Sequence, residues 1–571
     1  MISADEWMSP DGAVGLLAWS NEPEHKLLPA PLRKDHGRAI GHCGYLRDSI
    51  AVEEDLRTAA DLGPVTAGLG GCFSVFRADR ERLEAATSIT RVCPVYYARA
   101  GSVAVVGSRA LLVHLVARAV ETGLPAPEPD IDVLALQPMV RHGFFTNDET
   151  PFRGVRALPN AAVLSCGRDG SMRVVRRPFP VPEPAPRTAA AATARVERLA
   201  DALLAAAQPL ALHDEPVRLG LSGGRDSRLM AAVLHAAGVP VHARTHGFAD
   251  DPDVILATRI ARALGVEHDV EFSGETERPD AITVEHPLSR ARRVIRLCEG
   301  MTSAYERVGG YAPYVMEPRT SGSGGETLRG GFLYDQEDVS PDGLRRRVRS
   351  VFLSGEKFLT AAANERARTL HESWTDQAGP DGFDALDKLY LFYRTGRWIV
   401  GSHTATLMNS PYYHPFLDNQ VVREALMLPA EWRHSEEVVF RLIETLAPRL
   451  AAVPPEGKPW RFDRGRPPLR PAGLRAWYRR RPVAARGGSS GFNWRSSFDE
   501  NFLSLLREQL SSAPRELFDV VDESQARRLF SRVPRGWVNQ VWHIFTLGVL
   551  LSGDWRRSPT ALPPVTIPIR R

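Results

Sequence analysis

One short segment of the chain has the residue types and the spacing of a phosphate-binding loop. Residues 221–227 read Leu-Ser-Gly-Gly-Arg-Asp-Ser. An apolar run ends in Leu221, Ser222 to Ser227 form a predicted six-residue turn, and apolar residues then recur at helical spacing. A turn between a strand and a helix directs free backbone N–H groups to one point, which favours a polyanion. Gly223 and Gly224 allow close approach of the backbone because neither has a Cβ. Asp226 adds a hard oxygen ligand, so the segment predicts a site where Mg²⁺ bridges phosphates.

The residues around the glycines distinguish this loop from other phosphate loops. A Walker loop requires Lys followed by Ser or Thr, whereas Arg225 and Asp226 stand here, and the turn is too short for a dinucleotide fingerprint. The pattern Ser-Gly-Gly-x-Asp-Ser resembles the pyrophosphate loop of the ATP pyrophosphatases, which split ATP into AMP and pyrophosphate to activate an oxygen. Ser222 and Ser227 then add hydroxyl donors. The alternative interpretation is a tight glycine turn that binds nothing.

Length and composition indicate a soluble protein of several domains. At 571 residues the chain is too long for one core. Its 43% hydrophobic and 25% charged residues are ordinary for a globular protein, and a net charge of +4 does not by itself indicate nucleic-acid binding. The five cysteines have neither metal-site spacing nor the pattern of a disulfide framework. Because the sequence has no signal segment and no apolar run of about 18 residues, we expect a cytoplasmic protein without membrane contact.

The elements that must position the loop divide the chain into two parts. Residues 1–180 contain short, alternating strand-like segments separated by turns, among them 102–107 and 162–166, which predicts a mainly antiparallel, sheet-rich domain. A proline-rich stretch predicts a linker at residues 181–190. In residues 191–571, helical and strand-like segments alternate around the loop, with a helix near residues 252–264, which is typical of an α/β domain with a parallel sheet. From about Asp384 onward the pattern is mostly helical.

Several further segments resemble the asparagine synthetases. The match to the ligase half of that family consists of residues 252–268, residues 321–332 with the pattern Ser-Gly-x-Gly-x-acid-x-x-x-Gly-Gly-aromatic, and residues 413–418 followed by Leu428 and Pro429. The match to its amidotransferase half consists of residues 71–73, 94–97, 107–112 and 150–159. The segments occur in the family's order and span most of residues 40–555.

This resemblance implies a fold and a set of nucleotide contacts. The fold implied is α/β, with an N-terminal Ntn-amidotransferase-like domain and a C-terminal ATP-pyrophosphatase domain (adenine nucleotide alpha hydrolase-like) that ends in a helical part. The ATP contacts implied are Leu221, Ser222, Gly223, Gly224, Arg225, Asp226, Ser227, Thr245, Gly322 and Gly324.

The chemistry implied is adenylation of a carboxylate. The carboxylate attacks the α-phosphate of ATP, pyrophosphate leaves, and an amine displaces AMP to give an amide. Asp226 and Glu326, which stands where the family has Asp, are the implied Mg²⁺ ligands and catalytic acids. Lys458 resembles the family lysine that stabilises negative charge developing on the phosphates. The alternatives are a helix cap for Asp226 and a solvated position for Glu326 and Lys458.

At two positions the chain departs from the family, and these departures limit which reactions it can be expected to catalyse. The family's glutaminase uses an N-terminal cysteine, whereas here Met1 is followed by Ile2 and the first cysteine is Cys43, so we expect no glutamine hydrolysis. Ser323 stands where asparagine synthetases carry Glu and β-lactam-forming relatives carry Tyr, and an unperturbed hydroxyl is a poor general base. Neither asparagine synthesis nor β-lactam closure is therefore favoured.

A glutaminase-inactive relative must join a carboxylate and an amine that its substrate supplies. The lasso-peptide macrolactam cyclases look like this, and the chain is similar to them in length and in the Gly-Gly-Glu form of its second loop. The resemblance implies a peptide substrate, with a leader-peptide-binding protein and a leader peptidase as partners. The alternatives are a small-molecule substrate and another amide ligase of natural-product or cell-surface biosynthesis.

The basic segment 458–486 supports an alternative to the amide-ligase hypothesis, namely a tRNA-modifying enzyme. It holds ten Lys or Arg and one acid, Asp463, with aromatic residues among them. Such a segment fits a solvated surface, a lid over the substrate, or an RNA contact of a tRNA-modifying ATP pyrophosphatase. An amidotransferase-like first domain is not expected in a tRNA-modifying enzyme, so nucleic acid is not the favoured partner. A scaffold without chemistry is the third hypothesis, which an intact loop disfavours.

Four other residues near these motifs have competing interpretations. Arg228 is either a phosphate contact or a structural helix residue, and His403 and His414 are either general bases or packed side chains. For Asp418 a structural hydrogen-bonding role is favoured.

Overall fold

The first part of the chain is built from antiparallel strands, as their alternating sequences predict. A six-stranded sheet has the order β11-β10-β6-β5-β4-β3, a three-stranded sheet the order β8-β7-β9, and β1 pairs with β2. The strands of this part are β1 (Ser3–Met8), β2 (Gly15–Ser20), β3 (Arg33–Lys34), β4 (Arg38–Leu46), β5 (Gly71–Asp79), β6 (Arg82–Thr87), β7 (Tyr96–Ala100), β8 (Val103–Gly107), β9 (Arg156–Ala157), β10 (Ala162–Gly167) and β11 (Met172–Arg176). Its helices are α1 (Ser49–Thr58), α2 (Leu62–Gly68), α3 (Ala110–Thr122) and α4 (Gln137–His142).

The structure is a computed structural model. It describes residues 3–28, 30–35, 37–47, 49–271, 280–333, 336–377, 383–401, 409–465, 471–483, 493–496, 498–532, 536–557 and 562–568.

A parallel sheet follows in the middle of the chain. Its strands have the order β14-β13-β12-β16, and all three pairings are parallel. The elements here are α5 (Ala189–Ala211), β12 (Val217–Gly220), α6 (Arg225–Ala236), β13 (Val241–His246), α7 (Pro252–Leu264), β14 (Glu267–Glu271), β15 (Ala281–Val284), α8 (Pro287–Cys298) and β16 (Arg319–Ser321). Helices α6 and α7 connect successive strands, as parallel pairing requires. The predicted mixed α/β fold with a parallel sheet is confirmed.

The last part of the chain is mainly helical. Its helices are α9 (Pro341–Leu353), α10 (Ala361–Gln377), α11 (Phe383–Leu389), α12 (Asn419–Met427), α13 (Ala430–His434), α14 (Glu437–Leu446), α15 (Pro471–Arg479), α16 (Glu500–Ser511), α17 (Leu517–Val520), α18 (Glu523–Leu529) and α19 (Val538–Ser552). A π-helix, Tyr390–Ile399, continues directly from α11. One strand departs from the helical pattern: β17 (Val565–Pro568) pairs antiparallel with β15.

Two large apolar clusters hold these parts together. One packs α5, α6 and α14 around the parallel sheet, with Leu219 and Met230 fully buried. The other joins side chains of the first part, such as Tyr96 and Phe145, to Trp542 of α19. The antiparallel strands and the C-terminal helices therefore share a core. Within the described ranges, no helix combines the length and the apolar character that crossing a membrane requires.

Candidate functional site

Two loops leave the same edge of the parallel sheet and contact each other. Gly220 at the end of β12 is paired with Ser321 at the end of β16, so the segments that follow both strands start side by side. A Cβ added to Gly322 would lie 2.5 Å from the backbone N of Ser227. A Cβ on Gly325 would lie 2.6 Å from Cγ of Asp226. Only glycine permits this approach, and the structure thus brings the two predicted loops together.

The first loop is shorter than the six-residue turn that its sequence suggests. Helix α6 begins at Arg225, so Asp226 lies in its first turn and Gly224 is the N-cap residue, without a side-chain cap. The Oγ atoms of Ser222 and Ser227 are 2.9 Å apart, and the Gly224 N–H donates to Ser222 Oγ at 3.1 Å. The positive end of the α6 dipole and its first N–H groups are therefore directed at the space in front of the loop.

A chain of buried and partly buried charges lies behind this loop. Both carboxylate oxygens of Asp226 accept from Arg329, at 2.9 and 2.5 Å. Arg329 also pairs with Glu436 at 3.5 Å, and Glu436 pairs with Arg225 at 3.1 Å. Although burial acts to lower it, the charge of Asp226 raises the pKa of Arg329 above its usual range. Two guanidinium groups are thus held in place beside the loop by carboxylates.

The second acid of the site, Glu326, has a different environment. Tyr390, the first residue of the π-helix, donates its hydroxyl to Glu326 Oε2 at 2.8 Å. Burial, and then the neighbouring charge of Asp226, raise the pKa of the Glu326 carboxyl. The two carboxylates are therefore close enough to repel each other, and Tyr390 stabilises the ionised form of Glu326.

Thr245 lies beside the start of the first loop, at the end of the neighbouring strand β13. Its hydroxyl donates to the backbone oxygen of Leu221 at 2.9 Å and contacts His268 Nε2 at 2.8 Å. The amide of Gly223 donates to Asp253 of α7 at 2.8 Å. Both contacts fix the loop from the side of the sheet that carries β13 and α7.

The segment around Lys458 lies against the start of α6. Arg225 Nη2 donates to the backbone oxygen of Lys458 at 3.0 Å, and its guanidinium lies 4.8 Å from the ring centre of the buried Trp460. The buried Arg228 donates to the backbone oxygens of Val453 and Pro454, at 2.7 and 2.8 Å, so it has a structural role. The Lys458 side chain itself is exposed.

Part of the basic segment 458–486 is packed. Arg480 pairs with Asp463 at 2.5 Å, and the indole of the buried Trp477 donates to the Asp463 backbone at 3.1 Å. Residues 466–470 and 484–486 lie outside the described residues. Arg464 of the same segment pairs with Glu337 at 2.6 Å, so the described remainder is anchored by aromatic side chains and ion pairs.

Two of the other candidate residues lie at an internal contact. Asp418 accepts from the backbone N–H groups of Gly71, at 2.5 Å, and Gln420, at 2.8 Å, so it joins the first sheet to α12. His414 is buried nearby. His403 lies outside the described residues.

Three residues of the site were not predicted from the sequence. Arg329 stands three positions after Glu326, and its charge within a glycine-rich loop was the available signal. Glu436 has a left-handed backbone, φ 66°, and Tyr390 begins the π-helix. Both lie far along the chain from the loops, and nothing in their local sequence indicates the contact.

The two carboxylates fit an Mg²⁺ ion that binds together with a nucleotide. No group of three or more His, Cys, Asp or Glu converges within the described ranges, so they supply no complete all-protein site. Mg²⁺ commonly binds to one or two carboxylates with phosphates and waters as the other ligands. Asp226 keeps acceptor lone pairs beyond those that Arg329 uses, and Glu326 has a second oxygen.

Comparisons with known proteins find similarity to solved structures and to one protein family. Two of the similar solved structures, each at 13% identity, are the allosteric regulatory enzyme of purine biosynthesis (57% of this chain, 61% of the other, TM-score 0.17) and glutamine phosphoribosylpyrophosphate amidotransferase from B. subtilis with ADP and GMP (52% and 58%, TM-score 0.16). The chain thus spans about three fifths of their length, and likeness at this level establishes no shared fold. No curated protein matches the chain. Residues 198–398, the segment that holds both glycine loops, match the asparagine synthase family.

Proposed function

We propose that this protein adenylates a carboxylate of its substrate, releases AMP and pyrophosphate, and joins the carboxylate to an amine of the same peptide. The product we propose is the macrolactam of a lasso-type precursor peptide. The observation that carries the proposal is the close contact of the two glycine loops, Gly322 against Ser227, at the N-terminus of α6. A pyrophosphate group bound there faces backbone N–H donors and the helix dipole.

The side chains around the loops support pyrophosphate as a leaving group. Ser222 and Ser227 offer hydroxyl donors, and Arg329 and Arg225 hold positive charge beside the loop. Preorganised cations of this kind stabilise charge that develops on a departing phosphate. Mg²⁺, which Asp226 and Glu326 would hold, neutralises triphosphate charge when it is bound. The exposed ammonium of Lys458 is proposed to reach the same phosphates.

The amine is proposed to come from the substrate and not from glutamine. We assign residues 1–180 to an amidotransferase-like domain, residues 181–190 to the linker and residues 191–571 to the ligase. Burial raises the pKa of Cys43, Cys72 and Cys93, and it raises the pKa of Cys166 to about 11. A nucleophilic thiolate is therefore disfavoured at each of these cysteines.

The reaction products test this proposal. With a peptide that carries a free α-amine and an internal Asp or Glu, we expect AMP, pyrophosphate and a peptide lighter by one water. Asp226→Asn should abolish AMP formation, whereas Asp342→Asn, at an exposed position of α9, should not. Release of ADP and inorganic phosphate would contradict adenylation. AMP release with a linear amide as product would instead favour another amide ligase of natural-product or cell-surface biosynthesis.

A further inference from the structure

A large cavity opens on the first part of the chain. Its volume is about 1570 Å³, and its walls include β2, β8 and the start of α3. Pockets for small molecules usually enclose about 300–1,000 Å³. The cavity is therefore large enough for a segment of a peptide.

Two strands that line this cavity are edge strands. Among the described strands, β2 pairs with β1 and β8 pairs with β7, each on one side only. An edge strand presents backbone N–H and C=O groups that can pair with a further extended chain. Addition of a peptide as a β-strand is a known mode of recognition, in which alternate side chains enter pockets.

Apolar side chains line the cavity and remain exposed. Trp19 of β2 is 58% exposed, and Leu112 and Val116 of α3 are 45% and 42% exposed. Clustered apolar exposure of this kind marks a surface that an apolar partner covers. The matching ligand carries apolar side chains.

The basic residues around the cavity are already neutralised. Each of the five Lys and Arg that line it pairs with a carboxylate: Lys26 with Asp214, Arg33 with Glu53, Arg47 with Asp418, Arg109 with Glu299 and Arg168 with Asp11. Burial lowers the pKa of His42, another lining residue, to about 4, so it adds no charge near neutral pH. An acidic ligand or a nucleic acid would find few uncompensated charges here.

The cavity extends toward the ligase loops. Tyr412 lines it, and the Tyr412 hydroxyl donates to Ser321 Oγ at 2.9 Å, at the start of the second loop. Tyr412 also forms a parallel bridge with Arg319 of β16. Tyr412 therefore contacts both the cavity and the strand end from which the second loop begins.

We propose that the cavity binds an apolar segment of the peptide substrate in extended conformation, along the free edges of β2 and β8. The identity of this peptide as the substrate rests on the proposed ligase function. A segment held here directs the rest of the same peptide toward the second loop, where its carboxylate meets the nucleotide. The first part of the chain then serves as the peptide-binding part of the enzyme.

A matched pair of substitutions on one helix tests this site. Val116 lines the cavity, whereas Val120, one turn further along α3, does not and is 46% exposed. The probe is a displayed library of random decapeptides, selected on the full-length protein. We expect enrichment of peptides with apolar residues at alternate positions. Val116→Glu should weaken binding of the selected peptides by about tenfold or more, and Val120→Glu should leave it unchanged.

N-methylated peptides test whether the bound peptide pairs with the strand edges through its backbone. N-methylation of alternate residues in a selected peptide removes N–H donors while the side chains stay, so we expect affinity to fall by about tenfold or more. Failure to enrich any peptide, equal binding by Val116→Glu and the unaltered protein, or full tolerance of N-methylation would overturn the proposal. Peptide binding without AMP formation would support this binding site and reject the ligase function. AMP formation without peptide binding would support the ligase function and reject this binding site. Binding of a fluorescent ATP analogue shows that both variants are folded.

Discussion

The contact between the two glycine loops yields a prediction with a measurable size. In Gly322→Ala, the added Cβ would stand 2.5 Å from Ser227 N and 2.8 Å from the Asp226 carbonyl carbon, whereas ordinary contacts lie at 3.4–4 Å. Both opposing atoms belong to the backbone, so no side-chain rotation relieves the overlap. The second loop must therefore move away from α6 by about 1 Å.

We expect a shift of this size to remove contacts that the proposed site makes with the phosphates. If one charge-assisted hydrogen bond between the loop and ATP is lost, the cost is about 1.5–3 kcal/mol, which is about 10- to 150-fold in the Kd of ATP. The assay is calorimetric titration of the purified protein with ATP and Mg²⁺. Gly309→Ala is the matched control, because a Cβ there meets nothing within 4 Å.

An ATP Kd of Gly322→Ala within about twofold of that of the unaltered protein would contradict this prediction. Such a result would mean that the two loops do not bind the nucleotide together. Circular dichroism of both variants separates this outcome from a general loss of folding.

Three further variants probe individual side chains of the site. Arg329→Met leaves the carboxylate of Asp226 without its buried partner, so we expect the free energy of unfolding, measured by urea titration, to fall by about 3–5 kcal/mol. Arg329→Lys should recover part of this loss. An unchanged midpoint of the urea titration in Arg329→Met would contradict the ion pair. Tyr390→Phe removes a hydrogen-bond donor that lowers the pKa of Glu326, so the pKa of Glu326 should rise. The acidic limb of the pH profile of AMP formation should then move to higher pH. An acidic limb at the same or lower pH would be inconsistent with this contact. The Lys458 side chain is exposed, so Lys458→Ala should change the free energy of unfolding by no more than about 0.5 kcal/mol. The same variant should lower kcat for AMP formation about 10²-fold. An unchanged kcat would show that Lys458 takes no part in the reaction.

Local sequence patterns predict individual helices and strands well. The helix predicted near residues 252–264 is α7, and the strands predicted at 102–107 and 162–166 are β8 and β10. The predicted turn after β12 ends earlier, because Arg225 already has helical backbone geometry. Periodicity and turn residues are local properties, so they predict elements and approximate ends.

The charge network could not be predicted in the same way. Arg329 and Asp226 are 103 residues apart, and Tyr390 and Glu326 are 64 apart. Such pairs depend on which strands become neighbours, here β12 and β16, and on a π-helix that no propensity indicates. The edge position of β2 and β8 likewise follows from sheet topology and not from their own residues.

Competition binding tests, without a known substrate, whether the two loops form a pyrophosphate site. A fluorescent ATP analogue is bound to the full-length protein in the presence of Mg²⁺ and titrated with inorganic pyrophosphate. We expect pyrophosphate to displace the nucleotide, and Gly322→Ala to weaken that displacement while Gly309→Ala does not. Nucleotide binding that pyrophosphate leaves unaffected would show that the two loops do not form such a site.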